Sequence, residues 1–488
     1  MGTPLKPALP RCQEIDRNAA SDGRTRRRTL HGGSVVPLSS LESATRTAAL
    51  YCPRWCFKRL PEPSLRIAWT GSAIANAEDS GAAGLGRILL RQMLESDVEV
   101  DLYHPGSRAE LPEYFSDHPH LSVIDAPVRF EWDRWYSRNR IAAFSSGSIA
   151  RIATQVSLGK ELIYRHHRHP YDVVFQFSQL ELLALGRASR SLPPIVIHPC
   201  TTSARELHWH RRESRYALQA ESPLQHYLVR AYLHARTRTQ RRELRKPSLI
   251  AGPSEIFNRL MCEDYGVGVE RTRVLRHPVD LQRFSNVRRP RRDGRPIVLL
   301  FVGRFSARKG LELVTALSHR LADLAGEVQI KLLGGGSLWS DYSAHLSELN
   351  PQVAERLDGV PATEMPKVYA AADVVLVPSH YEPGSLVVGE ALAAGLPIIA
   401  SDQVGPVEVI DRRVCRVFSA GSLDSLEREV RTLVAQIRGD QSAIGDLARA
   451  QAYEHFGPDR IGRDLVQILH EAAGRSRTDK ATAEPGCV

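Results

Sequence analysis

The feature that most constrains the fold is an alternation of short β-prone apolar runs with stretches of helix length, repeated in two series along the chain. The first series comprises LRIAWT from Leu65, VEVDLY near 98, VIDA near 123, YDVVFQF at 171–177, PIVIHP at 194–199, SLIAGP at 248–253 and RVLRHP at 273–278. The second comprises IVLLFVG, VQIKLLGGG, DVVLVP and PIIAS. Strands that alternate with helices build parallel, doubly wound sheets, because a parallel connection must cross the sheet and a helix covers it on the way. Between the series, NVRRPRRDGRP at 286–296 is charged and carries Pro290, Gly294 and Pro296, the composition of an interdomain linker. The expected architecture is α/β, with two Rossmann-like doubly wound domains at 64–290 and 291–455. A helix at 456–475 is expected to pack back on the N-terminal domain, ahead of a disordered tail at 476–488. A chain of 488 residues suits two domains of ordinary size.

Residues 1–63 mix Pro, Ser and Arg in no helix or strand period and are expected to be a disordered basic extension. They lack the apolar core of a secretory signal, and Lys6 stands where a myristoylation site needs Ser or Thr. There is no apolar run of about eighteen residues or more, so no bilayer-spanning helix is expected. The seven cysteines are an odd number scattered along the chain, which fits free thiols in a cytoplasmic protein better than a disulfide framework. Cys52 and Cys56 have no second Cys or His pair at zinc-site spacing. The formal charge of +10 suits phosphorylated substrates, an anionic membrane or nucleic acid, and does not choose among them. Charge alone points to nucleic acid, and no nucleic-acid partner is expected.

Chemistry concentrates in HYEPGSLVVGEALAAGLPIIAS, where Glu382 and Glu390 are separated by seven residues. Pro383 and Gly384 open a helix that runs toward Ala394 and stops at Gly395-Leu396-Pro397. A loop carboxylate and a helix carboxylate would then face one cleft, able to accept hydrogen bonds from sugar and ribose hydroxyls. Ser385, Leu386 and Val387 would present unpaired backbone N–H groups at the helix start, suited to diphosphate oxygens.

This segment resembles the E-x7-E element of family 4 glycosyltransferases (glycosyl transferases group 1), retaining enzymes of GT-B fold whose two Rossmann-like domains face a central cleft. FVGRFSARKGLELVTAL at 301–317 resembles the family's strand-loop-helix bearing an Arg and a Lys, here Arg304 and Lys309. VPATEMPKVYAAADVVLVPSHYEPGS at 360–385, SLIAGPSEIFNRLMCEDYGV and RVLRHPVDLQRF extend the likeness over roughly residues 65–470. The resemblance implies that Arg304 and Lys309 hold the donor diphosphate, Glu390 the ribose and Glu382 the transferred sugar. His198, ending PIVIHP, would lie near the anomeric carbon, against the alternative of a structural histidine. Gly81, Gly84 and Gly86 would let backbone approach the donor phosphates in a glycine loop after the first strand. GAAGLG does not have the G-x-G-x-x-G spacing of a dinucleotide site. Where many members have a Pro-Asn-Gly-Val-Asp turn, this chain has Arg276, His277, Pro278, Val279 and Asp280.

No two aspartates stand two positions apart, so no D-x-D metal pair exists and metal-independent transfer without a cofactor is expected. The implied activity is transfer of a hexose-type sugar from a nucleotide-diphosphate donor to a glycan, lipid-linked or small-molecule acceptor. In the family's front-face route the leaving phosphate itself helps deprotonate the acceptor. The alternatives are a catalytically silent sugar-binding or scaffold protein of the same fold, and an epimerase or phosphorylase on it. The segment Arg205 to Lys246 carries eleven basic residues against four acidic ones, with Trp209, Tyr216, Tyr227 and Tyr232 interleaved. It reads as a solvated helix face or as a peripheral contact with an anionic membrane.

Overall fold

Strand β1 (Leu65–Gly71) is flanked on both sides by parallel partners, β2 (Val98–His104) and β4 (Val173–Ser178). With β3 (Leu121–Asp125), β5 (Ile195–Pro199), β6 (Leu249–Gly252) and β7 (Thr272–Val274) they form a seven-stranded parallel sheet ordered β3-β2-β1-β4-β5-β6-β7. A second parallel sheet is ordered β10-β9-β8-β11-β12-β13. Its strands are β8 (Ile297–Val302), β9 (Val328–Leu333), β10 (Ala354–Leu357), β11 (Val374–Val377), β12 (Ile398–Ser401) and β13 (Cys415–Phe418). In this computed structural model the described residues are 65–72, 74, 81–106, 108–126, 140–220, 222–285, 294–336, 342–437 and 442–483. The N-terminal extension and most of the linker read from the sequence, residues 286–293, lie outside them. All described residues belong to one compact unit, Glu62–Val488.

Successive strand residues face opposite sides of a sheet, so a strand buried on both faces must be apolar throughout. Ile67 and Trp69 of β1 join Phe175 and Phe177 of β4 in one core layer, while Ala68 and Val174 face the other. The second sheet divides likewise, Leu299 and Phe301 to one side and Val298 and Leu300 to the other. The two strands missing from the sequence reading, β10 and β13, are the two edges of this sheet. Their sequences, AERL and CRVF, carry charges and lack the apolar run that marks a doubly covered strand.

Two excursions tie the halves together. Between β5 and β6 the chain forms the helices Ser203–Arg212, Ser214–Ala220 and Pro223–Glu243, and the first two reach the second domain. There Trp209 stacks on His380 at 5.3 Å and Tyr216 on Tyr342 at 4.5 Å. The last helix, Pro458–Ala483, runs past residue 475, where the sequence reading ends it. Its Ile461, Leu465, Ile468 and Leu469 complete the core of the first domain.

Candidate active site

Glu382 follows β11 in a loop whose backbone is pinned to the segment after β12: its N–H donates to the Gln403 carbonyl at 3.2 Å and its carbonyl accepts from Gly405 at 2.9 Å. The side chain is buried. Lys309 Nζ donates to Glu382 Oε2, and Arg308 donates to the same oxygen at 3.3 Å and to the Tyr381 carbonyl at 2.8 Å. Burial pushes the Glu382 pKa up, but Lys309 and Arg308 more than offset it and hold the carboxyl below its ordinary range. Burial, with Arg308 and Arg304 adding repulsion, holds Lys309 below an ordinary lysine despite Glu382. Arg304 is exposed and has no hydrogen bond or ion pair among the described residues. Glu213, from the first domain, accepts from the Arg308 backbone N–H at 3.2 Å. Lys309 and Arg308 thus share the one carboxylate of Glu382, with Arg304 close enough to act on Lys309.

Next to Glu382 the helix Leu386–Ala393 begins without a side-chain cap, its N-cap Ser385 making no capping hydrogen bond. Its first N–H groups have no intrahelical acceptor, the open helix start expected at Ser385, Leu386 and Val387. Gly81, the first residue of the helix Gly81–Leu94, faces this end closely: a Cβ on it would lie 3.1 Å from Leu386. Gly84 and Gly86 are inside that helix and not in a glycine loop, which corrects the sequence reading. Gly86 is needed for packing, because a Cβ there would lie 2.5 Å from Ile74 and 2.9 Å from Phe177.

His198, next to the end of β5, is fully buried, its Nδ1 2.6 Å from the Ala251 carbonyl and its Nε2 without a hydrogen-bond partner among the described residues. A carbonyl only accepts, so Nδ1 carries the proton and Nε2 is an acceptor. Burial and the neighbouring His277 push its pKa down to about 3, so the ring is neutral. His277 stands edge-on to it at 5.3 Å and donates through Nδ1 to the Gly384 carbonyl at 3.1 Å. Burial likewise pushes His277 down to about 4. Only glycine fits opposite this ring, since a Cβ on Gly384 would lie 2.5 Å from it. The departure from the Pro-Asn-Gly-Val-Asp turn therefore puts a neutral imidazole between His198 and the Glu382 loop.

Glu390 is in another environment. It accepts from Tyr369 Oη at 2.6 Å, burial raises its pKa, and it is not among the partners of Glu382. The geometry brings together Lys309, Glu382 and the helix start, and adds Arg308, His277 and Glu213, which the sequence reading missed. Arg308 had a signal, standing next to Lys309 in FVGRFSARKG; His277 and Glu213 come from distant segments and had none.

Residues 282–444 match the model of the family described as glycosyl transferases group 1. An uncharacterized glycosyltransferase of Methanocaldococcus jannaschii is 30% identical over 177 residues, 35% of this chain and 44% of that protein, so the chain spans less than half of that relative. A D-inositol 3-phosphate glycosyltransferase of Salinispora arenicola is 24% identical over 78% of this chain and 85% of its own length. Among solved structures, sucrose-phosphate synthase of Thermosynechococcus elongatus superposes with a TM-score of 0.59 at 18% identity, covering 83% of this chain and 98% of that one. Anabaena HepE in complex with UDP superposes at 0.55 and 17% identity, over 83% and 100%. At such identities these likenesses speak to the fold. The chain has the GT-B fold, and over residues 282–444 it is similar to the glycosyl transferases group 1.

Proposed function

We propose that this chain is a retaining, metal-independent glycosyltransferase that moves a hexose-type sugar from a nucleoside-diphosphate donor to an acceptor hydroxyl. The observation that carries this reading is the pairing of both Arg308 and Lys309 with the single carboxylate of Glu382, beside an uncapped helix N-terminus. As the bond from the anomeric carbon to the diphosphate oxygen breaks, its electron pair goes to that oxygen. Cations already in place stabilise the developing charge, on the order of 3 kcal/mol for one well-placed donor. The acceptor oxygen attacks the same face, and its proton passes to the departing phosphate oxygen. Glu382 accepts from hydroxyls of the transferred sugar, Glu390 from the ribose, and neutral His198 offers Nε2 as an acceptor near the anomeric carbon. Anabaena HepE, of the same fold and solved with UDP and with UDP-glucose, supports a nucleotide sugar as donor.

A panel of UDP-, GDP- and ADP-sugars tested for thermal stabilisation checks this, because a ligand of the folded state raises its apparent stability. One donor class is expected to shift the transition, and the shift is expected to disappear in Arg304→Ala and Glu390→Ala. Transfer is expected to survive a chelator, and the product to keep the donor's anomeric configuration by NMR. Donor binding without turnover would instead favour a silent binding protein.

A further inference from the structure

The helix Pro223–Glu243 turns two unlike stripes in opposite directions. His226, Val229, Leu233 and Gln240 are buried, and Val229 and Leu233 pack with Leu207 of the helix Ser203–Arg212. On the other side Leu224, Leu228, Ala231, Ala235, Arg238 and Arg242 are all exposed. They succeed one another at alternating steps of four and three residues, the spacing that keeps side chains in line on one helix face.

The first half of this face is apolar and wet. Leu224 is 64% accessible, Tyr227 beside it 65% and Leu228 43%, while Leu218 on the preceding helix Ser214–Ala220 is 48% accessible. Arg151 of the helix Arg140–Arg168 donates to Tyr232 Oη at 2.9 Å, which ties to this helix the turn that exposes Ile149 and Ile152. Six of the eleven large hydrophobic side chains exposed among the described residues thus belong to three helices in contact. Single exposed hydrophobic residues are ordinary, but such a concentration marks a contact surface.

The charge around it has one sign. From Pro223 to Arg242 the helix carries five arginines and no acidic residue. Arg236 turns inward to Glu181, whereas Arg230, Arg238 and Arg242 are exposed and pair with no carboxylate among the described residues. On the two preceding helices Arg212 and Arg215 lie over the Trp209 and Tyr216 rings, at 5.4 and 4.5 Å, and not against acids. A partner for this face must therefore take in apolar side chains and offer negative charge around them. A second copy of the chain would set arginine against arginine. A nucleic acid offers phosphates but no apolar interior for Leu224 and Leu228. The interface of an anionic bilayer supplies both, with headgroups for the arginines, acyl chains for the leucines and the boundary between them for a tyrosine.

We propose that this face docks on the surface of an anionic phospholipid bilayer, with Leu224, Tyr227 and Leu228 entering the interface and Arg238 and Arg242 lying among the headgroups. The face uses no residue of the donor pocket, so the membrane reading can fail while the transferase reading stands.

The test is cosedimentation of the full chain with vesicles of phosphatidylcholine alone and of phosphatidylcholine mixed with phosphatidylglycerol. Wild type is expected to bind the mixed vesicles at least about tenfold more tightly, and to be released from them as salt rises. Two variants, Leu224→Ser/Tyr227→Ser/Leu228→Ser and Arg238→Gln/Arg242→Gln, alter only exposed side chains and are expected to keep a native circular dichroism spectrum. Each is expected to weaken binding to the mixed vesicles at least about tenfold. No binding by wild type, binding that ignores lipid charge, or equal binding by either variant overturns the proposal. A wild-type dimer that the serine variant converts to a monomer in analytical ultracentrifugation also overturns it, because a second copy would then cover the face.

Discussion

Lys309 illustrates how a residue reads differently alone and in place. In the sequence it is one basic side chain; in the fold it is buried, paired with Glu382 and pressed by two arginines. Lys309→Ala is expected to lower kcat/KM about 100-fold, the loss of one preorganised cation, while circular dichroism stays native because Arg308 still neutralises Glu382. The two histidines predict a pH effect on stability. Both rings titrate far below the ordinary histidine, at about 3 for His198 and about 4 for His277. The unfolded chain takes up these protons as pH falls through about 6.5, and the folded chain only near its depressed values. Between these limits the unfolded state binds more protons, so stability is full above about 6.5 and falls as pH falls. By pH 5 each ring is expected to cost about 2 kcal/mol. Urea midpoints of wild type and His277→Asn between pH 7 and 5 check this: the variant should lose less stability, and equal slopes would refute the assignment.

At the scale of elements, the helix Glu255–Tyr265 is capped from two domains. Ser254 accepts from Phe257 N–H at 3.2 Å, and Glu408 of the second domain accepts from Ile256 at 2.6 Å and Glu255 at 3.0 Å. A carboxylate on these orphan N–H groups also meets the positive end of the helix dipole. Glu408→Ala is expected to cost about 1–2 kcal/mol in urea unfolding, with Glu408→Gln retaining part of it. The helix Gly81–Leu94 depends instead on close approach to the sheet. Gly86→Ala is expected to destabilise by about 1–3 kcal/mol, since its Cβ has no room against Ile74 and Phe177.

For the whole molecule, the last helix makes the two domains interdependent. It leaves the second domain at Pro458 and buries Ile461, Leu465, Ile468 and Leu469 in the core of the first. Arg273, in β7, pairs with its Glu471. Four such aliphatic side chains at about 1.5–3 kcal/mol each rival the entire stability of a domain. A chain ending at Gly457 is therefore expected to lose cooperative unfolding of the first domain, monitored by near-ultraviolet circular dichroism. A native spectrum in that variant would show that the first domain stands without the helix.

Eleven of the thirteen strands were legible, most of them because a doubly covered parallel strand must be apolar on both faces, a requirement written in consecutive residues. The edges β3 and β7 of the first sheet were read from VIDA and RVLRHP, whereas β10 and β13 were not, because AERL and CRVF are four residues each, carry charges and show no apolar run. The E-x7-E spacing likewise carried Glu382 and the helix start, since loop and helix are contiguous there. What the sequence determined by itself was thus everything local: element type, strand burial and the residues of one loop. Tertiary structure decided the rest. It paired Glu390 with Tyr369, placed Gly84 and Gly86 in a helix, and brought His277 and Glu213 to the Glu382 loop and its arginine. Those outcomes depend on which distant segments meet, and residues far apart in the chain carry no mark of that meeting until the sheets assemble and burial selects their partners.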